Sequence, residues 1–269
     1  MTRTIHPTAV VDPGAELGDD VVIGPNAIVG AQVVLGDGCR IDAGGQVQGP
    51  TRLGEGNHVY PYACVGFDPQ DLKFAGEHTE LEVGDRNHFR EHTTVHRGTG
   101  SGGGLTRIGS DNLFMVGTHI AHDCMVGNHT IFANNATLAG HVEVGDHAVI
   151  SAFTSVHQFC RVGRHAYIGG YSVITRDAMP FVKTVGVKPA CFGINRIGLE
   201  RKGYDGDAVK RLERAYRLLV RSKLNTQQAL ERIRDELAGD EVDHLVAFIE
   251  ASQRGVIKET PRRGASRGG

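Results

Sequence analysis

Between Thr118 and His141 the chain carries His119, His122, Asp123 and His141, with His96 and His157 on either side. A neutral imidazole takes up a hydroxyl proton near neutral pH, which is the work of a general base. A neighbouring carboxylate holds the ring in one tautomer and stabilises the imidazolium that forms. His122-Asp123 offers that pair directly. The apolar residues Ile120, Val126, Phe132 and Leu138 recur every six positions through the same stretch. The polar cluster leaves this rhythm undisturbed, so it points outward from an ordered scaffold.

That scaffold is legible as a repeat. Every sixth residue from Ile5 is apolar: Ile5, Val11, Leu17, Ile23, Val29, Leu35, Ile41, Val47, Leu53, Val59 and Val65. Small residues recur four positions later (Ala9, Ala15, Ala27, Cys39, Gly45, Ala63), and glycine often follows the apolar residue, as at Gly18, Gly24, Gly30, Gly36 and Gly54. This is a hexapeptide pattern. The aliphatic residue fills the interior, the small residue sits near a corner, and Gly, Asp or Asn takes the turn. Three hexapeptides make one triangular coil of eighteen residues, and successive coils pair as parallel strands about 4.8 Å apart. The register lapses at residues 66–82, where Val65 to Val83 spans one coil length and a loop replaces a face. It lapses again at 97–107, a glycine-rich stretch that shifts the register by one residue. Loops that interrupt a strict solenoid are commonly placed for binding. From Ile108 to Ile174 the repeat runs unbroken.

Residues eighteen apart share a column on such a solenoid. His122, Gly140 and Gln158 form one column, and Asp123, His141 and Phe159 the next. The count therefore sets an imidazole beside a carboxylate, one strand spacing from a glycine backbone. The Gly140 N–H, unscreened by a side chain, is suited to a developing oxyanion. This is an apparatus for acyl transfer. Surface histidines at a subunit contact are the plainer alternative, and their clustering argues against it. His119 and His122 are three apart but span a corner, and spacing fixes no third metal ligand. Cys124 lacks a helix terminus or paired base to activate it as a nucleophile.

Composition agrees with a turn-rich solenoid. There are 37 glycines among 269 residues, 6% aromatics and no Trp. Five cysteines without a C-x-x-C point to a reducing compartment, and no apolar run approaches a membrane span or a signal-peptide core. The expected location is cytoplasmic, with no stable membrane insertion and no nucleic-acid partner. Residues 1–182 hold 11 Lys+Arg against 19 Asp+Glu, a net of −8, and residues 183–269 hold 18 against 12, a net of +6. A basic C-terminal part suits an anionic partner or a set of solvated helix faces. Beyond about residue 190 the period turns helical, with Val209, Leu212, Ala215, Tyr216 and Leu219 on one face. Asn225 with Gln228 reads as a capped start, and Asp240 as the cap of a last helix. The expected organisation is mainly β: a left-handed parallel β-helix over 1–190 with loops at 66–82 and 97–107. A small α-helical domain follows over 191–257, then a disordered basic tail over 258–269.

Longer strings narrow the field. Pro69-Gln70-Asp71-Leu72-Lys73, Val95-His96-Arg97-Gly98-Thr99, Gly102-Gly103-Gly104-Leu105-Thr106 and Ser110-Asp111-Asn112 stand beside His119–Cys124, Ala133–His141 and Val156–Cys160. Together they resemble the acyl-[acyl-carrier-protein]–UDP-N-acetylglucosamine O-acyltransferases, the hexapeptide-repeat enzymes that open lipid A synthesis. The resemblance covers nearly the whole chain. It implies a left-handed helix and a homotrimer, with acyl carrier protein as β-hydroxyacyl donor, UDP-N-acetylglucosamine as acceptor, and no metal or cofactor. It implies His122 as base toward the sugar 3-hydroxyl, Asp123 as its orienter and Gly140 as oxyanion donor. Asp71 and Lys73 would meet the sugar and diphosphate. His96, His119, His141, His157 and Gln158 would line the nucleotide-sugar site, and Asn195 and Arg201 would meet the uridine end. A glycine at Gly170 would leave the acyl groove open to a longer chain, although it also suits a plain corner. The basic helices would dock the acidic carrier.

The chain departs from the resemblance at one place. Ile197 stands where some members carry glutamate, and Lys202 where they carry arginine, a point charge in place of a bidentate fork. Alternatives are a related nucleotide-sugar N-acyltransferase, a 3-amino-sugar-selective variant, a metal-dependent β-helix lyase and a non-catalytic scaffold. Such N-acyltransferases carry an extra N-terminal uridine-binding domain, and repeats that begin at Ile5 argue against that alternative.

Overall fold

A computed structural model describes residues 3–261. Its strands are mostly two residues long and fall into three parallel sheets of eleven, nine and eight strands, the faces of a triangular prism. Thr4–Ile5 opens the first face, Val10–Val11 the second and Glu16–Leu17 the third. The register is the expected eighteen, Thr4 pairing with Val22 and Ile5 with Ile23. One repeat residue per strand points inward: Ile23, Val29, Leu35, Ile41, Val47, Leu53, Val59 and Val65 are all at most 1% exposed. Each such burial is worth about 1.5–3 kcal/mol, so the stack of coils is one continuous core. Phe89, Phe114 and Phe132 extend it, with ring centroids 5.0 Å apart at each step. Ile5, on the end coil with no neighbour beneath it, is 44% exposed.

The turn residue differs from the expected one. The glycine after each apolar residue does not take the left-handed conformation. That falls three residues past the apolar one, at Asp20, Asn26, Gln32, Gly38 and Gly44. Gly36 serves close approach: a Cβ there would lie 2.6 Å from the Gly54 backbone of the next coil. The lapse at 66–82 is also corrected. Val65 and Val83 lie on adjacent faces, because Val83 pairs with Leu53, thirty residues earlier. Twelve extra residues have been inserted between the second and third faces, and no face is replaced. The second loop adds seven, Val83 pairing with Ile108.

The first face does not stop at residue 190. Val182–Val185 pairs in parallel with Tyr167–Ile168 and antiparallel with Ala190–Ile194. Helices α1 (Arg196–Arg201), α2 (Gly206–Tyr216), α3 (Thr226–Glu236) and α4 (Asp240–Glu250) follow. Asn225 and Gln228 form the reciprocal capping box that opens α3. Gly239 caps α4 instead of Asp240, and Asp240, Glu241 and Asp243 sit in its first turn, where acidic groups favour the helix dipole. Part of the expected disordered tail is ordered. The Cys191 N–H donates to the Glu259 carbonyl at 2.7 Å, and Lys258 Nζ donates to Thr226 Oγ1 at 2.6 Å. The rest of that tail, 262–269, lies outside the described residues.

Candidate active site

The corner between the second and third faces holds the cluster. His119 opens the second-face strand His119–Ile120, and the chain then turns through His122 and Asp123, the latter at φ 59°. The His141 N–H donates to the His122 carbonyl, and the Phe159 N–H to the Gly140 carbonyl. These bonds stack the two columns that the eighteen-residue count gives.

His122 Nδ1 lies 2.7 Å from Asp123 Oδ2, and the Asp123 side chain is 1% exposed. A carboxylate only accepts hydrogen bonds, so Nδ1 carries the proton and Nε2 keeps its lone pair. The imidazole lies over Gly140. A Cβ at that position would be 2.5 Å from Cε1 and 2.9 Å from Nε2, so glycine here is a condition of ring placement. His141 stands edge-on to His122 at 5.3 Å, with its Nε2 3.6 Å from Asp123 Oδ2 and its other side stacked on Phe159 at 4.4 Å.

Below them, His119 Nδ1 meets Thr94 Oγ1 at 2.8 Å, and its ring lies 5.2 Å from His96. Burial, reinforced by His96 and His122, pushes His119 down to about 4. His96 is lowered too, chiefly by burial. Its Nδ1 faces the Asp68 carbonyl and so donates, while its buried Nε2 has no hydrogen-bond partner among the described residues. Both rings are neutral at pH 7, polar without competing as cations.

Two loops frame the corner. Arg97, 7% exposed, bonds the Gly66 carbonyl and the Asp68 carboxylate, rooting the first loop beside His96. Beyond that root, Asp71 Oδ1 accepts the Lys73 N–H at 2.9 Å and the intervening Leu72 is fully exposed. The second loop delivers Thr99, whose N–H and hydroxyl reach Asp123 Oδ1 and Oδ2 at 2.9 and 2.7 Å. Asp123 N–H in turn donates to Thr106 Oγ1 at 2.7 Å. In the sequence Thr99 and Thr106 stand out only as parts of longer strings, and nothing marks Asp68. The glycine-rich character of residues 98–104 was the available signal.

The remaining expected site residues divide. His157 and Gln158 sit at the same corner, exposed, above Ala139 and Gly140. Gly170 lies at the corner between the first and second faces, where the Tyr171 N–H bonds the Ala152 carbonyl. Asn195 caps α1 and donates to the His165 carbonyl at 3.1 Å, at the corner between the third and first faces. Arg201 ends α1. One chain therefore does not bring Gly170, Asn195 and Arg201 to His122. Cys124 is fully buried, its thiol pushed up to about 12 by burial, which leaves it inert as a nucleophile. His122, Asp123 and His141 lie within 4.8 Å of one another, close enough to consider a cation. Asp123 already accepts from Thr99 twice and from His122, which leaves little lone-pair capacity for one.

Known proteins are similar to this chain over most of its length. Residues 177–257 match the family model described as UDP-N-acetylglucosamine O-acyltransferase, domain 2, and residues 4–36, 105–140 and 141–176 match the bacterial transferase hexapeptide. The chain is 49% identical over 255 residues to the acyl-[acyl-carrier-protein]–UDP-N-acetylglucosamine O-acyltransferase of Myxococcus xanthus, covering 94% of this chain and 99% of that protein. Among solved structures it is similar to LpxA from Acinetobacter baumannii, with TM-score 0.92, 44% identity, and 94% and 99% of the two chains covered. It is likewise similar to the UDP-N-acetylglucosamine acyltransferase LpxA of Bacteroides fragilis, with TM-score 0.93, 40% identity, and 94% and 100% covered. The chain belongs to the UDP-N-acetylglucosamine O-acyltransferase family, with the left-handed β-helix and C-terminal helices of its relatives.

Proposed function

We propose that this chain transfers a β-hydroxyacyl group from acyl carrier protein to the 3-hydroxyl of UDP-N-acetylglucosamine, the first step of lipid A synthesis, in the cytoplasm. The observation that carries the mechanism is the His122 Nδ1–Asp123 Oδ2 contact of 2.7 Å beneath an imidazole seated over Gly140. His122 Nε2 takes the hydroxyl proton as the sugar oxygen attacks the thioester carbonyl. The Gly140 N–H faces the oxyanion of the tetrahedral intermediate. Its collapse breaks the C–S bond, and the carrier thiolate takes the proton back from the imidazolium. No bond to the enzyme forms, and Asp123 stays ionised throughout.

His96, His119, His141, His157 and Gln158 bind the sugar, and Asp71 and Lys73 close on its diphosphate side. Gly170 and Asn195 lie at the two other corners of the prism, each a full face away from His122. In our reading three copies pack side by side. The neighbour's first face, with Gly170 at one edge and Asn195 and Arg201 at the other, covers the second corner and adds the acyl groove and the uridine contacts. Sedimentation equilibrium should give three times the chain mass, and full turnover by a monomer would overturn this arrangement. The basic helices dock the acidic carrier. Mass spectrometry of the product from UDP-N-acetylglucosamine and a mixed hydroxyacyl-carrier pool tests the activity. One hydroxyacyl ester of the nucleotide sugar is expected, and its absence with a competent carrier pool would sink the reading.

A further inference from the structure

Asp123 is held by more than the histidine it orients. Its Oδ1 accepts the Thr99 N–H at 2.9 Å, and its Oδ2 accepts the Thr99 hydroxyl at 2.7 Å. The same hydroxyl oxygen accepts the Gly102 N–H at 3.1 Å on one of its two lone pairs and has Ser101 Oγ at 3.3 Å; its proton goes to the carboxylate, which is nearer and only accepts. A directed chain results: Gly102 N–H to Thr99 hydroxyl, Thr99 hydroxyl to Asp123 Oδ2, with His122 Nδ1–H arriving at that oxygen from the other side. Thr99 is 2% exposed, so water does not substitute for it. Gly102 closes over the carboxylate so tightly that a Cβ there would lie 2.2 Å from Asp123 Cγ and 2.3 Å from Oδ2. The seven residues inserted here therefore form a fitted cover, built around one side chain.

We infer that Thr99 is a positioning residue for acyl transfer: the inserted loop clamps Asp123 through the Thr99 N–H and hydroxyl, and so sets the orientation and basicity of His122. The inference rests on the reading of His122 as base. Thr99 touches Asp123 and has no contact with the His122 ring, so it acts through the carboxylate. A hydroxyl that donates to Oδ2 draws off part of the negative charge facing the imidazole. Without it, Asp123 holds the protonated ring more strongly and fixes its plane less well. The other titratable groups around His122 are His96, His119 and His141, and none of them contacts Thr99.

Thr99→Val keeps the shape and the backbone N–H and removes only the hydroxyl. The expected result is a fall in kcat of about tenfold to a hundredfold, with KM for the nucleotide sugar within about threefold. The acid limb of the pH–kcat profile should move to higher pH. Thr99→Ser should restore both the rate and the limb, which a purely structural role at this position would not require. In an Asp123→Asn background, Thr99→Val should cost little more. Should Thr99→Val fail to fold, Gly102→Ala carries the same test, because its backbone is not left-handed and the collision is with the carboxylate. It should lower kcat and move the same limb. A Thr99→Val enzyme, or in its place a Gly102→Ala enzyme, with wild-type kcat and an unmoved limb overturns the inference. So do equal, multiplying losses in the Asp123→Asn background. His122→Ala is measured beside them: if it keeps turnover the base assignment fails, whereas an inactive His122→Ala beside an unaffected Thr99→Val fails the clamp alone.

Discussion

Among the described residues the prism has two corners rich in histidine, and the proposed mechanism uses one of them. At the second corner the left-handed turn column reads Asp123, His141, Phe159. At the third it reads Arg86, Asp111, His129, His147, His165, Phe181. The third is a plain stack. His129 and His147 lie 4.8 Å apart and nearly parallel, His147 and His165 lie 4.6 Å apart, and Phe181 continues the stack at 5.9 Å. The residue before each turn position differs as well. At the second corner it is His122, then Gly140. At the third it is Asn128, then Asp146, and Asn128 donates from its backbone and side chain to Asp146 Oδ1 at 2.6 and 3.1 Å. One corner leaves an imidazole above bare backbone, with a buried carboxylate on its Nδ1. The other fills the same space with its own hydrogen bonds. Counting histidines in the turn column alone would rank the third corner higher. What sets the second corner apart is a buried carboxylate at 2.7 Å from Nδ1 and the empty position beside the ring, whereas Asp111 at the third corner is partly exposed, bonded to Arg86 and 3.9 Å from His129 Nδ1.

The most severe way to break this contrast is to delete one imidazole at each corner. His122→Ala should lower kcat by about a thousandfold with little change in melting temperature. His147→Phe should leave kcat within about twofold. The phenyl ring keeps the stack and removes a buried Nδ1 that has no hydrogen-bond partner among the described residues. Phe153, Phe159 and Phe181 already occupy this kind of position at φ 57–65°. Steady-state kinetics on the two variants decide it, and comparable losses would abolish the distinction.

Acid should expose the second difference. Burial first, then His147, Arg164 and Lys202, push His165 down to about 4. An unfolded histidine titrates near 6.5, so below that pH the unfolded chain binds the proton first. Stability contributed by the neutral ring is complete above pH 6.5 and is lost as pH falls toward 4. The ceiling is about 3 kcal/mol for this one group. His165→Phe should keep the stack on Phe181 and flatten part of the acid limb of stability. His119, also near 4, retains its own share with the same sign. Urea unfolding at pH 7.5 and pH 5 measures it, and an unchanged pH dependence in His165→Phe refutes the assignment.

These features were unequally legible in the sequence. The core and the His122–Gly140 column could be read because one inward residue per hexapeptide makes a count, and a count survives as long as every coil is eighteen residues. It misled at Val65–Val83 for an arithmetic reason: one face step of six plus twelve inserted residues also equals eighteen. The Thr99 clamp was out of reach because the chain returns to Asp123 through an insertion, where Gly103 and Gly104 take φ 97° and 80° and no repeat fixes their path. The third-corner position of Asn195 follows from the hairpin of Val182–Val185 and Ala190–Ile194, which breaks the hexapeptide rhythm. Columns encode neighbours within a chain. They carry no information about which corner another copy would cover.

The finest test of the comparison fills the gap at the second corner. Gly140 is not left-handed, so alanine is acceptable to its backbone, and the only obstacle is His122, with the ring atoms at 2.5, 2.9 and 3.1 Å from the added Cβ. The ring cannot retreat freely, since Asp123 holds Nδ1 from one side and His141 stands edge-on at 5.3 Å. Gly140→Ala should therefore tilt the imidazole and shade the N–H beneath it, lowering kcat about thirtyfold, or about 2 kcal/mol of transition-state stabilisation. KM should rise by less than kcat falls, because His96 and His119 lie on earlier coils while His141, His157 and Gln158 adjoin the change. The folded state should lose about 1–3 kcal/mol, as the held ring and its neighbours must shift to admit the methyl group. Alanine at 140 with unimpaired kcat would mean that neither the seat of the ring nor the Gly140 N–H matters to turnover. The second corner would then differ from the third by its carboxylate alone.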